Sequence, residues 1–347
     1  MENWPDELIE TASKITWSQW AALGAYITVE PCRKSVVDPE ALVVATCVFG
    51  RQDARIFDEA MDWIAVNHHL LKPWRLKKIS RAFGEDVQRT LGAVLEYISE
   101  ATGSNLFPRV REEASVALSD SRKEELFWSE KGLFAGRESE ADPVFMRWKL
   151  LRGKPGLRGH SGTPDQKNPV NLMVRLRGYY GTGTRADVIT YLLAGKGGSS
   201  NEIASKIKYD QSGVYRVLEE LVESGIVQKY GEPGYGYYWL DRDEMAQSLG
   251  LEGGRPVYFV WSDIFRAFYL LVSDWMAHKH EYQDRFLSAE RMRDLTAKVV
   301  PLLRKAGEPL LEIPVPDIGR QKGQEHSERL IVFLDQVMDV LRCFTIE

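Results

Sequence analysis

Gln211, Ser212, Tyr215 and Arg216 are the side chains in this 347-residue sequence best suited to recognition chemistry. Glutamine can bond an adenine edge, arginine a guanine edge, and serine either. All four lie in a segment whose apolar residues, Val214, Val217, Leu218, Leu221 and Val222, recur at i, i+3, i+4, i+7 and i+8. That period predicts a helix with one buried stripe. The four polar residues fall on its outward side, near its start.

Catalytic chemistry has no comparable pattern. Residues 194–199 read Ala-Gly-Lys-Gly-Gly-Ser. A phosphate-cradling loop needs a glycine four residues before its Gly-Lys and Ser or Thr after it, and here Gly197 follows. Residues 178–183, Gly-Tyr-Tyr-Gly-Thr-Gly, lack a preceding strand, which argues against a dinucleotide site. His278 and His280 lie two apart on an expected helix and point to different faces. His68 and His69 close another helix, where capping or exposure is their ordinary role. There is no HExxH and no recognisable nucleophile elbow. The expectation is a protein that is not an enzyme, with no metal and no cofactor.

Composition narrows the class further. The chain is 44% hydrophobic and 27% charged, as ordinary globular proteins are. Its net charge of −5 argues against coating nucleic acid non-specifically, but leaves room for a local DNA-reading surface. Cys32, Cys47 and Cys343 are far apart and odd in number, so they build no disulfide framework. A reducing compartment fits. Residues 1–10 are acidic rather than signal-like, and no apolar run reaches the ~20 residues that a membrane helix needs. These features lead to an expected cytoplasmic location with no membrane partner.

The elements around Gln211 follow in a readable order. Thr184 and Asp187 open a helix carrying Val188, Ile189, Leu192 and Leu193. Ser199 and Glu202 have the S-x-x-E spacing of a capping box. Ile203, Ala204 and Ile207 are the inward residues of the short helix that follows. A tight turn, Lys208-Tyr209-Asp210, leads into the helix of Gln211, and Gly225 stands where a left-handed C-cap is wanted. Residues 226–230 and 237–240 then read as strands joined by a Gly- and Pro-containing turn.

On these residues the stretch from about 182 to 241 resembles the winged helix-turn-helix DNA-binding regulators, such as the MarR-like and ArsR-like groups. NEIASKI, a short turn and SGVYRVLEELVESGIVQKY match that pattern of second helix, recognition helix and first wing strand. The resemblance covers under a fifth of the chain. It implies base contacts from Gln211, Ser212, Tyr215 and Arg216, phosphate contacts from Ser199, Ser200, Lys206 and Lys208, and wing contacts from Lys229, Tyr230 and Tyr235. Against it, residues 171–240 hold eight basic and seven acidic side chains, and Glu219, Glu220 and Glu223 line the back of the third helix.

The remaining chain reads as helical. The expected fold class is mainly α with small β-hairpin wings, multi-domain, with a central winged helix-turn-helix (170–250) flanked by helical domains. Residues 1–107 form the N-terminal domain, which is either a second, degenerate winged helix or a helical domain of another kind. In the first case Arg51, Gln52 and Arg55 would lie at its reading end and Lys72, Arg75, Lys77 and Lys78 in its wing. A helical connector (108–150) leads to a basic Gly/Pro-rich linker (151–169). From Arg147 to Arg177 there are eight Lys or Arg and a single acid, Asp165, so the stretch suits either a phosphate-tracking arm or a solvated linker. Residues 255–347 form a helical domain with two apolar stripes, Phe265 to Met276 and Leu330 to Leu341. They serve either its own core or a dimer. The expected partners are double-stranded DNA and a second copy or another protein, and the function is sequence-specific DNA binding in transcriptional control. The alternative is a scaffold or adaptor subunit that uses the same module to hold protein.

Overall fold

A computed structural model describes residues 4–118, 121–128, 134, 136, 138–231, 236–251, 254–316 and 324–346. It is mainly helical, with two small sheets. The chain forms two compact units. The first comprises Thr16–Pro31 and Val37–Asp187. The second comprises Met1–Ile15, Cys32–Val36 and Val188–Glu347. The expected boundaries near 151–169 and 250–255 are therefore not where the chain divides.

The helices up to the first unit's end are α1 (Trp4–Ala22), α2 (Pro39–Phe49), α3 (Ala54–Asn67), α4 (Pro73–Ser80), α5 (Glu85–Thr102), α6 (Pro108–Ala114), α7 (Pro143–Arg147) and α8 (Leu172–Tyr180). Helix α2 starts as its sequence predicts: Asp38 accepts from the Ala41 amide and Pro39 takes the first turn. Every residue of α2 is buried, as expected of a helix that is apolar all round. Around it, the Trp20 indole donates to Thr46 Oγ1 at 2.8 Å and the Trp63 indole to the Leu23 carbonyl at 2.8 Å. Both rings are fully buried, and each indole N–H is satisfied.

Between α2, α4, α8 and the next helix, α9 (Thr184–Ala194), lies a buried charge network. Arg75 Nη2 reaches Asp38 at 2.5 Å, and its Nη1 reaches Glu40 at 2.5 Å. Arg177 spans Glu40, at 2.7 and 3.0 Å, and Asp187, at 2.9 Å through both Nε and Nη2. Both arginines are held firmly protonated: burial opposes their charge, and the surrounding carboxylates outweigh it.

Residues 152–168 are not a free arm. The Asp62 carboxylate accepts from the backbone amides of Arg158 (2.8 Å), Gly159 (2.6 Å) and Ser161 (3.0 Å). Arg152 pairs with Asp58 at 2.7 Å, the Tyr97 hydroxyl donates to the Pro155 carbonyl, and Asn67 donates to the Gly162 carbonyl. Arg147 is held by Glu96 and Glu100, and Arg158 by Glu59. Much of the positive charge expected to meet phosphate is neutralised inside the unit.

The second winged helix does not form. Where a wing was expected the chain continues as α4. The strands of this unit among the described residues are β1 (Glu124–Glu125) and β2 (Leu150–Leu151), a short parallel pair.

In the second unit α9 is followed by β3 (Gly198–Ser199), α10 (Ser200–Ile207), α11 (Gln211–Glu223), β4 (Gln228–Tyr230), β5 (Tyr237–Trp239) and α12 (Arg242–Ser248). Helices α13 (Trp261–Ala277), α14 (Arg285–Arg304) and α15 (Gln324–Thr345) complete it. The apolar stripes of α13 and α15 are used in this unit's own core: Phe265, Phe268, Leu271, Leu330, Phe333, Val337 and Leu341 are all buried. Those residues serve the unit's own core, the first of the two expected roles. Among the described residues no helix is long and apolar enough to cross a membrane.

Removing one member of the buried network leaves uncompensated charge behind. Arg177→Met is expected to cost about 3–5 kcal/mol, read by urea unfolding. An unchanged midpoint would show that the network is dispensable. Burial alone would raise the Asp38 pKa, but Arg75 holds it below the usual range. Its contribution is then complete above the unfolded value of ~3.9 and is lost as pH falls through the lower folded value. Asp38→Asn should therefore flatten the acid limb of a stability–pH profile.

Candidate nucleic-acid interface

The geometry around Gln211 is set by local signals in the sequence. Ser199 and Glu202 form the complete capping box: the Ser199 hydroxyl accepts from the Glu202 amide, and Glu202 accepts from the Ser199 amide at 2.8 Å. Lys208 closes α10 in the left-handed region, at φ 63°, and turns the chain into α11. Val214, Leu218 and Leu221 of α11 are buried, with Val217 and Val222 half-buried. Gly225 ends the helix at φ 76°.

Strands β4 and β5 pair antiparallel, with Lys229 opposite Tyr238, and β3 adds to the other side of β5, giving the order β3-β5-β4. Gly197 permits that third strand. A Cβ there would lie 2.5 Å from the Tyr238 carbonyl oxygen and 2.7 Å from the Tyr237 ring, closer than real contacts allow.

Gln211, Ser212, Tyr215 and Arg216 are all exposed. They occupy the first two turns of α11, Ser212 and Arg216 opposite its buried stripe and Gln211 and Tyr215 along its edge. Gln211 Nε2 donates to Ser200 Oγ at 2.9 Å, tying the starts of α10 and α11 together. An open cleft of about 390 Å3 is lined by Ser199, Ser200, Gln211 and Tyr215, together with Asn201, Gly236 and Tyr238. Arg216 makes no hydrogen bond or ion pair to a described residue.

The two lysines expected at phosphates, Lys206 and Lys208, and the wing lysine, Lys229, are engaged within the protein. Lys208 Nζ binds both oxygens of Asp263 at 2.8 Å. Lys206 donates to the Lys305 carbonyl. Lys229 Nζ lies 2.7 Å from Glu219 and above the rings of Tyr238 and Tyr215, at 5.4 and 5.9 Å. The same Glu219 oxygen accepts from the Tyr238 hydroxyl at 2.5 Å. Lys229 and Tyr238 hold the Glu219 carboxyl below its ordinary value. Burial first, then Glu219, push the Tyr238 phenol up to about 12. Tyr230 is exposed and stacks on Trp239, ring centroids 6.0 Å apart and planes 2° from parallel. Tyr235 lies outside the described residues.

The second set of expected contacts does not assemble. Arg51 is buried, donating to the Leu126 and Glu125 carbonyls and to Glu124. Arg75 belongs to the buried network, and Lys77 pairs with Glu113 at 2.7 Å. Lys78 lies over the Trp74 ring of its own helix. Gln52 and Lys72 are half-buried, and Arg55 is exposed at the start of α3. Arg51, Arg75 and Lys77 answer acids distant in sequence, which takes them out of any common basic face.

Asn201 and Tyr238 escaped the sequence reading. Asn201 is the exposed neighbour of a capping serine, and strand alternation puts Tyr238 on the opposite face from Tyr237. Both signals are local and readable. The Glu219–Lys229–Tyr238 cluster is not, since its members are ten and nineteen residues apart.

No family model matches the chain, and no curated protein or solved structure matches it.

Glu219→Gln tests the cluster. The Tyr238 phenol, followed by near-ultraviolet absorbance against a Tyr238→Phe control, should then ionise lower, part of the way back toward ~10. Burial retains the rest of the shift. A midpoint that stays put would mean that Glu219 does not govern Tyr238.

Proposed function

We propose that residues 184–239 form a winged helix-turn-helix and that the chain binds double-stranded DNA through it as a sequence-specific regulator. One observation carries this reading: Gln211, Ser212, Tyr215 and Arg216 are exposed together at the start of a helix anchored by its buried stripe. The major groove admits a helix, and the side chains near its N-terminus are those that reach base edges. Arg216 suits guanine and Gln211 adenine. The strand order β3-β5-β4 supports the reading, since it places a hairpin next to the helix pair.

Phosphate contact under this reading falls to Ser199, Ser200 and Asn201, at the amino end of α10, rather than to Lys206 and Lys208. A helix start offers amides to an anion, and here those of Ser200 and Asn201 are left beside the Ser199–Glu202 capping box. Few cations means few released counterions, so the dependence of affinity on salt is shallow for a DNA-binding protein.

An adaptor role is the second reading, favoured by a specific feature. Lys206, Lys208 and Lys229 are all engaged internally, while Tyr215 and Tyr230 expose aromatic surface. Tyrosines surrounded by little net charge also suit a protein partner.

A selection from random duplexes with the purified chain separates the two. DNA binding predicts an enriched motif, and Arg216→Ala should weaken binding to it by about 1–3 kcal/mol while relaxing specificity at one base. Absence of any enriched sequence at low salt would sink the DNA reading and leave the adaptor.

A further inference from the structure

A second cavity, of about 330 Å3, lies within the same unit as the α11 cleft. It is formed by the turn after α9, by α10 and by the segment that follows α14. Part of its wall is aromatic. Tyr191 and Tyr258 are both buried and meet edge to face, with centroids 5.1 Å apart. Tyr237 of β5 also borders it. The Tyr191 hydroxyl makes no hydrogen bond to a described residue.

The rest of the lining is rich in cations: Lys196, Lys206, Arg304 and Lys305. Glu202 and Glu308 also border the cavity, but both carboxylates already have partners. Glu202 accepts from the neutral Ser199 amide and hydroxyl in the capping box and so keeps its charge one turn from Lys206, and Glu308 pairs with Lys196 at 2.6 Å. Among the described residues Lys206, Arg304 and Lys305 form no ion pair, and Lys206 keeps two donors beyond the one given to the Lys305 carbonyl.

We propose that this cavity binds a small planar aromatic anion, its ring against Tyr191 and Tyr258 and its charge at Lys206 and Lys305. A cavity of this size is at the small end of ligand sites, enough for one or two fused rings. An aromatic face offers the ring an edge or a stack, and neighbouring like charges, of which Lys206 is half-buried, gain from a counter-charge. Lys206 has the most to gain. Burial first, then Lys208 and Lys305, hold its ammonium below the ordinary lysine value, and Asp263 and Glu202 only partly offset them.

The site is independent of the nucleic-acid reading. None of Gln211, Ser212, Tyr215 and Arg216 lines it.

The test is calorimetric titration of the full chain with naphthoate, with naphthol and inorganic phosphate as controls. Naphthoate is expected to bind at one saturable site. Lys305→Met alters an exposed side chain, leaves the fold intact by circular dichroism, and should weaken naphthoate by ~tenfold, the loss of one charge-assisted contact. Lys206→Met should weaken it at least as much. Naphthol should bind more weakly than naphthoate, phosphate should not displace it, and Arg216→Ala should bind it unchanged. The proposal is overturned by no saturable binding, by naphthoate binding that ignores both lysine substitutions, by equal affinity for naphthol, or by full displacement with phosphate.

Discussion

Five buried side chains, Asp38, Glu40, Arg75, Arg177 and Asp187, set the terms for the first unit. They come from α2, α4, α8 and α9 or their caps, and the charges meet where none reaches water. Charges so placed are tolerable only when every donor finds an acceptor. Arg75 and Arg177 do so by sharing Glu40, and each also holds an aspartate. Apolar packing alone allows helices to slide or rotate by a ridge. Forked guanidinium contacts do not, because a small displacement strands a charge. We take the network as the element that fixes the register of these helices, including the first turn of α9.

The same network explains which parts of the fold the sequence discloses. The segment from Ser199 to Trp239 was legible because each of its signals is local: a capping box four residues long, an apolar stripe with a period of 3.6, a glycine at the C-cap. The starts of α10 and α11 fall where those signals place them. Asp187 shows where local reading misleads. Three residues after Thr184 it looks like part of a cap, yet its carboxylate receives two bonds from Arg177, ten residues earlier. Nothing in a helical wheel distinguishes a cap acid from a buried acceptor.

Basic residues were the least legible of all. Arg51 and Arg75 read as surface charges beside turns, but their acids lie 73, 37 and 35 residues away in the chain. Glycine and proline around residues 152–164 remove helical periodicity, and that loss resembles a mobile linker. Asp62 instead gathers three backbone amides of the stretch and holds it extended. Composition reports what a segment cannot form by itself. It is silent about what a distant carboxylate will hold.

The candidate interface inherits this distribution of charge. Arg216 stays exposed, while Lys206, Lys208 and Lys229 are turned to a carbonyl, to Asp263 and to Glu219. Under the nucleic-acid reading, little sequence-independent attraction remains to hold a chain of net charge −5 on an arbitrary duplex. What remains is base-edge hydrogen bonding from Gln211 and Arg216, helped by the shape of the cleft. Such a surface discriminates between sequences by a larger share of its total affinity than a basic one does. Under the same reading a single copy would bind weakly, because one helix contributes few contacts. Pairing two copies on adjacent half-sites would multiply those contacts, and it would have to use residues other than the buried stripes of α13 and α15. In the second unit the large apolar side chains left exposed include Phe286 and Leu287 at the start of α14 and Val332 on α15.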